Sequence, residues 1–309
     1  MVVKVLLHPP RDEAGDWHAA LVAALPDATV ALWPDVPGSP DYALVWKPPP
    51  ELFTRARPLR AIFNLGAGVD ALLAVSTLPD DVPVIRLEDA GMAVQMAEYV
   101  TLAVLRAYRE ADAYAAQQRE GRWQPRARLA KSAFGVGFLG FGVLGQAVAG
   151  ALAPFGFPVR AWSSGRKAFP GVESFAGCAE MRSFLAGSRV LVCLLPSTAD
   201  TASLLDRAAL LALPSGAHLV NVSRGGIIVD DDLLTLLDCG HLASATLDVF
   251  REEPLPSGHP FWHHPRVTLT PHASAVTQVK DSVAQIAAKI RALEQGEPVT
   301  GVVDRARGY

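Results

Sequence analysis

Arg224, Glu253 and His272 are the residues of this 309-residue chain best suited to acid–base chemistry on a small anion, because each follows closely on an apolar, strand-like run. A guanidinium is always charged and presents paired donors, so Arg224 can clamp a carboxylate while polarising a carbonyl beside it. An imidazole has an ordinary pKa of ~6.5 and is a competent acid near neutrality. A carboxylate such as Glu253 next to His272 would stabilise its protonated form. A substrate matched to this set is a 2-oxo acid: its carboxylate is anchored, its carbonyl polarised, and the oxygen protonated as a hydride arrives. Reduction should then weaken as pH climbs and the imidazole loses its proton, and the reverse oxidation should prefer higher pH. Singly, these residues have plainer readings: a strand-end arginine, one of eight histidines satisfied by a backbone bond, a surface acid beside Arg251.

The hydride source is written in FGVGFLGFGVLGQAVAGAL, residues 134–152. The segment reads strand, glycine loop, helix, and Gly140, Gly142 and Gly145 make GxGxxG with Leu144 before the last glycine. The first glycine permits a tight turn, the second lets a pyrophosphate approach the backbone, and the third lets helix pack on strand. The helix N-terminus then faces the phosphates with free NH groups. With 25 glycines in the chain the spacing alone is a weak signal, and the flanking strand and helix strengthen it. A site for NAD places an acid about 20 residues past the first glycine. Here the strand 159–162 runs instead into Ser163, Ser164, Gly165, Arg166 and Lys167, and the next acid is Glu173. Two hydroxyls and two cations suit a ribose 2′-phosphate, which predicts NADP(H) preference with NAD(H) also usable. The plainer alternative is a solvated basic turn.

These groups need a scaffold that brings strand ends together. Short runs rich in Val, Leu and Ile alternate with segments of helical period, punctuated by Pro and Gly, the pattern of an α/β fold. Strands are predicted over 2–7, 29–33, 42–46, 60–64 and 84–87, with a helix over 16–25. One long helix, apolar almost all round, is predicted from Met92 to about Gln118; it serves as a core helix, a subunit contact or both. Further strands are predicted over 190–195, 218–222, 243–247 and 267–270. In an open parallel sheet ligands bind beyond the carboxyl ends of the strands, so Leu195, Pro196, Val222, Arg224, Asp248 and His272 are expected around the cofactor crevice. A closing helix over 277–295 carries apolar positions able to pack on the first domain.

The composition, 50% hydrophobic and 19% charged with net charge -3, describes a soluble globular chain without the basic stripe that nucleic acid requires. Cys178, Cys193 and Cys239 have neither CxxC nor Cys/His spacing, so neither a disulfide framework nor a metal site is expected, and a reducing, cytoplasmic setting fits. The opening MVVKVLLHPP reads as a strand rather than a signal core, and no apolar run of about 18 residues predicts a membrane span.

NVSRGG (221–226), LDVFREEPLP (247–256) and TPHAS (270–274) are similar, in content and order, to the signatures of the D-isomer-specific 2-hydroxyacid dehydrogenases. ALVWKPP, NLGAGVD, RLEDAGM and the terminal VDRARGY resemble, more narrowly, a bacterial branch of that family that reduces glyoxylate to glycolate and hydroxypyruvate to glycerate. The resemblance implies Arg224 as substrate anchor, His272 as proton donor and Glu253 as its partner. It also implies that backbone NH groups of Ala67 and Gly68 meet the substrate carboxylate, and that Trp46 closes over a small substrate, although Trp46 reads equally as a core aromatic. The implied fold is two Rossmann-like/flavodoxin-like domains with parallel sheets: a discontinuous substrate domain, 1–93 plus 276–309, into which a cofactor domain, 94–275, is inserted. A homodimer joined through the long helix is implied too. Two alternatives stay open: a reductase for a bulkier 2-oxo acid such as pyruvate or phenylpyruvate, and a dinucleotide-sensing scaffold without turnover.

Overall fold

A computed structural model describes residues 2–36, 38–127 and 129–309. The chain divides into two compact units, Met1–Met92 with Val276–Tyr309, and Ala93–Ala275.

The first unit is built on five strands: β1 (Lys4–His8), β2 (Thr29–Leu32), β3 (Tyr42–Val45), β4 (Ala61–Asn64) and β5 (Val84–Arg86). They run parallel in the order β2-β1-β3-β4-β5, with Val5 opposite Tyr42 and Leu44 opposite Phe63. A parallel sheet is covered on both faces, and β3 and β4 are accordingly buried along their whole length. Helix Val279–Glu294 packs against helix Ala14–Ala24 within this unit, burying Val283, Ile286, Ala287 and Ile290. It is tied down at Tyr42, whose hydroxyl donates to Glu294 at 2.6 Å, and by the buried Lys289, whose ammonium meets Glu88 at 3.1 Å.

The second unit holds seven strands: β6 (Val136–Leu139), β7 (Val159–Ser163), β8 (Val172–Ala176), β9 (Val190–Cys193), β10 (Ala217–Asn221), β11 (Leu242–Leu247) and β12 (Val267–Leu269). All are parallel, in the order β12-β11-β10-β9-β6-β7-β8. The two-residue period of a strand sorts its side chains to opposite faces. Val190 and Val192 join Val136 and Phe138 in one core cluster, while Leu191 and Cys193 join Leu139 in the other.

Two elements differ from the sequence-based expectation. The long helix is two, Met92–Tyr108 and Ala111–Arg119, interrupted where Glu110 adopts a left-handed φ of 53°. Its first part buries Met96, Val100 and Val104 but leaves Val94 and Leu102 exposed, so within one chain it is covered on one face only. The other difference is β8, which the pattern did not indicate: VESFA is an edge strand in which only Phe175 is buried. Among the described residues no helix is long and apolar enough to cross a membrane, and no cluster of three or more His, Cys, Asp or Glu could hold a metal ion.

Candidate active site

In the second unit the strand order turns back between β6 and β9, which makes the carboxyl ends of those strands the crevice of the sheet. The glycine loop lies there, and its three glycines are required for different reasons. Gly140 has φ +99°, and a Cβ would lie 2.8 Å from the backbone of Leu194 at the end of β9. A Cβ on Gly145 would lie 2.8 Å from the Gly140 carbonyl oxygen, so helix and loop close on each other only without one. Gly142, at the N-cap of helix Val143–Leu152, has an ordinary φ of -81°, and a Cβ there would meet nothing within 4 Å. Neither backbone geometry nor packing requires glycine at this position. The open space above it, beside the NH groups of a ten-residue helix, is what an approaching pyrophosphate needs.

The turn after β7 is more self-contained than its composition indicates. Ser163 is buried and its hydroxyl donates to the Gly165 carbonyl at 2.6 Å, so the proton expected for a phosphate goes to the turn itself. Arg166 donates to the Ser174 carbonyl at 2.5 Å and pairs with Glu180, while Ser164 and Lys167 are exposed. Leu195 and Val222 are buried, so what they offer at the sheet edge is backbone; Pro196 is half-buried, and its carbonyl accepts from Thr201 at 2.7 Å.

Arg224, Asp248 and His272 follow the carboxyl ends of three neighbouring strands, β10, β11 and β12. Arg224 is positioned by two residues that residue chemistry alone did not single out. The buried Asn221 donates to the Arg224 carbonyl at 3.0 Å and accepts from the Ser223 NH and hydroxyl at 3.2 and 3.0 Å. At Gly225 a Cβ would collide with the backbone of Phe250 and Arg251, so glycine lets this loop press against the one that carries Glu253. Both residues stand inside the NVSRGG motif, which was their only sequence signal. The Arg224 guanidinium donates to the Ser223 carbonyl at 2.7 Å.

His272 and Glu253 come together as the residue types suggested: Nδ1 lies 2.8 Å from Glu253 Oε2, and Oε1 of the same carboxylate accepts from the Phe250 NH at 3.0 Å. A carboxylate only accepts, so Nδ1 carries the hydrogen and Nε2 is the nitrogen left for other chemistry. His272 has φ +54°, a conformation that a non-glycine residue holds only when its surroundings impose it. Asp248 imposes it. Its carbonyl accepts from the His272 NH at 2.8 Å, and its fully buried carboxylate accepts from the Ala273 NH at 2.8 Å, the Ser274 NH at 2.9 Å and the Thr270 hydroxyl at 2.5 Å. Asp248 was expected at the cofactor crevice; it stands at the carboxyl end of β11, and its side chain builds the His272 turn. Thr270 donates to Asp248, so at 2.6 Å it accepts from the Tyr99 hydroxyl, which extends the network to helix Met92–Tyr108. Burial pushes the Tyr99 phenol above its ordinary pKa, keeping it a neutral donor.

Other histidines of this unit are placed differently. His218 is half-buried beside Ser244, 2.8 Å away, and desolvation followed by the Arg189 charge pushes its pKa down to about 4. His264 pairs with Asp238 at 3.2 Å but precedes β12, at the opposite end of the sheet from the glycine loop.

In the first unit the strand order turns back between β1 and β3, and Trp46 follows β3 with its carbonyl 3.0 Å from His8 Nδ1. Beyond β4, the buried Asn64 donates both amide hydrogens to the carbonyls of Gly66 and Gly68, each at 2.9 Å. The loop carbonyls are thereby held on one side, and no described protein acceptor engages the NH groups of Ala67 and Gly68. A Cβ on Gly66 would lie 2.5 Å from the Trp46 ring, so the indole rests on the loop, half-buried.

Known proteins are similar to this chain in sequence and fold over its whole length. Residues 101–274 match the family model of the D-isomer specific 2-hydroxyacid dehydrogenase NAD binding domain. The chain is 45% identical over 313 residues to glyoxylate/hydroxypyruvate reductase A of Yersinia enterocolitica and 47% identical to that of Serratia proteamaculans, covering 99% of this chain and 100% of each relative. Among solved structures it is similar to a D-isomer specific 2-hydroxyacid dehydrogenase from Xanthobacter autotrophicus Py2 in complex with NADPH and MES, with TM-score 0.95, 42% identity and 100% of both chains covered. The NADPH-dependent glyoxylate/hydroxypyruvate reductase of Sinorhizobium meliloti, in complex with NADP and sulfate, gives TM-score 0.92 at 35% identity, covering 99% of this chain and 100% of that one. The chain belongs to the D-isomer specific 2-hydroxyacid dehydrogenase family.

Proposed function

We propose that the protein is an NADPH-dependent reductase of small 2-oxo acids, with glyoxylate and hydroxypyruvate as substrates. The observation that carries this reading is the Glu253–His272 pair, 2.8 Å apart, held beyond the carboxyl ends of the strands that also carry Arg224 and the glycine loop. NADPH, when bound, supplies the hydride. The open backbone at Gly142 and the N-terminus of helix Val143–Leu152 receive its pyrophosphate, and Ser164, Arg166 and Lys167 receive its 2′-phosphate. Arg224 anchors the substrate carboxylate and polarises the adjacent carbonyl. His272 protonates the carbonyl oxygen through Nε2 as charge develops there, and Glu253 keeps the ring in that tautomer and stabilises the imidazolium from which the proton leaves. The NH groups of Ala67 and Gly68, exposed by the hold of Asn64 on the loop carbonyls, are further donors to the carboxylate, and Trp46 limits substrate size.

In this reading Ala93–Ala275 is the cofactor domain and the remainder the substrate domain. The enzyme works in the cytoplasm, consistent with three free cysteines, and as a homodimer that covers Val94 and Leu102 on the outer face of helix Met92–Tyr108. The test is the initial rate of reduced-nicotinamide oxidation with glyoxylate, hydroxypyruvate, pyruvate and phenylpyruvate, each against NADPH and NADH. Fast turnover of the first two with NADPH, slower with NADH, is the expected result. Faster turnover of phenylpyruvate would reassign the substrate, and no turnover with any acid despite NADPH binding would replace the enzyme reading with a dinucleotide-sensing one.

A further inference from the structure

Glu180 stands on the helix Gly177–Ala186, and its carboxylate is fixed by the chain before any ligand arrives: Oε2 accepts from the Ala176 NH at 2.7 Å. Its other oxygen, Oε1, pairs with Arg166 Nη2. Arg166 Nη1 donates to the Ser174 carbonyl of β8 at 2.5 Å, and the Lys167 NH donates to the Ser174 hydroxyl at 3.0 Å. The guanidinium is therefore anchored at both of its terminal nitrogens, one on a strand carbonyl and one on a carboxylate that a backbone NH holds still. Arg166 is otherwise on an exposed turn, with 62% of its side chain accessible, where an arginine would range over many rotamers. Of its five N–H donors these two bonds take two, leaving three in a plane already oriented. A cation held in place loses less freedom when it meets an anion than one that must first be ordered.

We propose that Glu180 is a positioning residue for cofactor choice: by holding the Arg166 guanidinium ready at the turn after β7, it favours the dinucleotide that carries a 2′-phosphate over the one that does not. The proposal rests on the reading of residues 163–167 as the 2′-phosphate site. Beyond that reading, it assigns a role to a carboxylate that by charge alone would oppose an anion, and it makes the edge strand β8, through Ser174, part of the same device.

The test is KM for NADPH and for NADH in glyoxylate reduction, measured for the wild type, Glu180→Gln and Arg166→Ala. Glutamine keeps an oxygen for the Ala176 NH, so the helix cap survives, but its amide cannot hold the guanidinium by charge. The expected result for Glu180→Gln is a KM for NADPH raised about 3- to 5-fold, the scale of an exposed ion pair, with KM for NADH within about 2-fold of the wild type. For Arg166→Ala the expected rise in KM for NADPH is about 10-fold or more, again with NADH unaffected. A purely structural role for Glu180 would move both cofactors by the same factor, and that outcome overturns the proposal. So does a KM for NADPH that is unchanged or lowered in Glu180→Gln while Arg166→Ala behaves as expected; the 2′-phosphate reading then survives. An Arg166→Ala variant that leaves the NADPH to NADH ratio unmoved overturns the proposal together with the reading beneath it.

Discussion

The chain carries two glycine loops at the carboxyl ends of parallel strands, GAG after β4 and GFGVLG after β6, and they are shaped by different means. After β6 the loop leads into a ten-residue helix, and two of its glycines are dictated by packing against Leu194 and against the loop itself. The third, Gly142, keeps a space clear in front of the helix N-terminus. After β4 only the short helix Asp70–Leu73 follows, and the shaping group is a side chain: Asn64 pulls two carbonyls to one side, which leaves the NH groups of Ala67 and Gly68 available. The first arrangement suits an extended pyrophosphate that runs along a helix end, the second a compact carboxylate that needs two or three donors. Glycine occurs in both, but at Gly142 it leaves open space and at Gly66 it makes room for the Trp46 ring.

The contrast between the loops breaks most visibly at Gly142. Aspartate is a favoured N-cap residue, and φ -81° is open to it, so Gly142→Asp should leave Tm unchanged or slightly raised while placing a side chain and a negative charge where the pyrophosphate is read to lie. Affinity for NADPH, followed by fluorescence titration, should fall about 100-fold or more. Retained affinity would mean that the loop does not face the cofactor. A smaller effect is expected in the other loop. Asn64→Ala removes two hydrogen bonds at about 1 kcal/mol each, so KM for glyoxylate should rise by up to about 30-fold with kcat and KM for NADPH little changed. If KM for glyoxylate stays put, the carboxylate is held without the Ala67 and Gly68 NH groups.

Short-range patterns made much of this molecule legible. Continuous apolar runs such as VLVC of β9 and YALV of β3 are buried on both faces of parallel sheets and could hardly be anything but strands. Residues at the carboxyl ends of such runs were legible as site candidates for the same reason. What escaped depends on partners remote in sequence or on weak local signals. Edge strand β8 buries one residue in five, too little for a period to stand out. The interruption at Glu110 involves neither Gly nor Pro, the residues that mark such breaks. Tyr99 looks in sequence like one more apolar position on a helix, and its partner Thr270 is 171 residues away. Asp248 stands at the expected strand end, yet its main duty, bonding three groups of the 270–274 turn, follows only from the turn's geometry. Ser163 and Arg166 have the residue types of donors awaiting a phosphate, whereas each already has a partner in the chain.

Delivery of the proton to the reduced carbonyl by His272 is central to the proposed reaction, and the backbone conformation of this residue selects the variant that tests it. Asparagine tolerates a φ of +54° better than most residues, so His272→Asn should preserve the turn that Asp248 builds while removing the imidazole. The measurement is steady-state reduction of glyoxylate by NADPH in this variant against the wild type. The expected result is a kcat lowered about 100-fold to 10,000-fold, with KM for NADPH within about 2-fold. A kcat near that of the wild type, with the turn intact, would contradict this role for His272 and place the proton donor elsewhere.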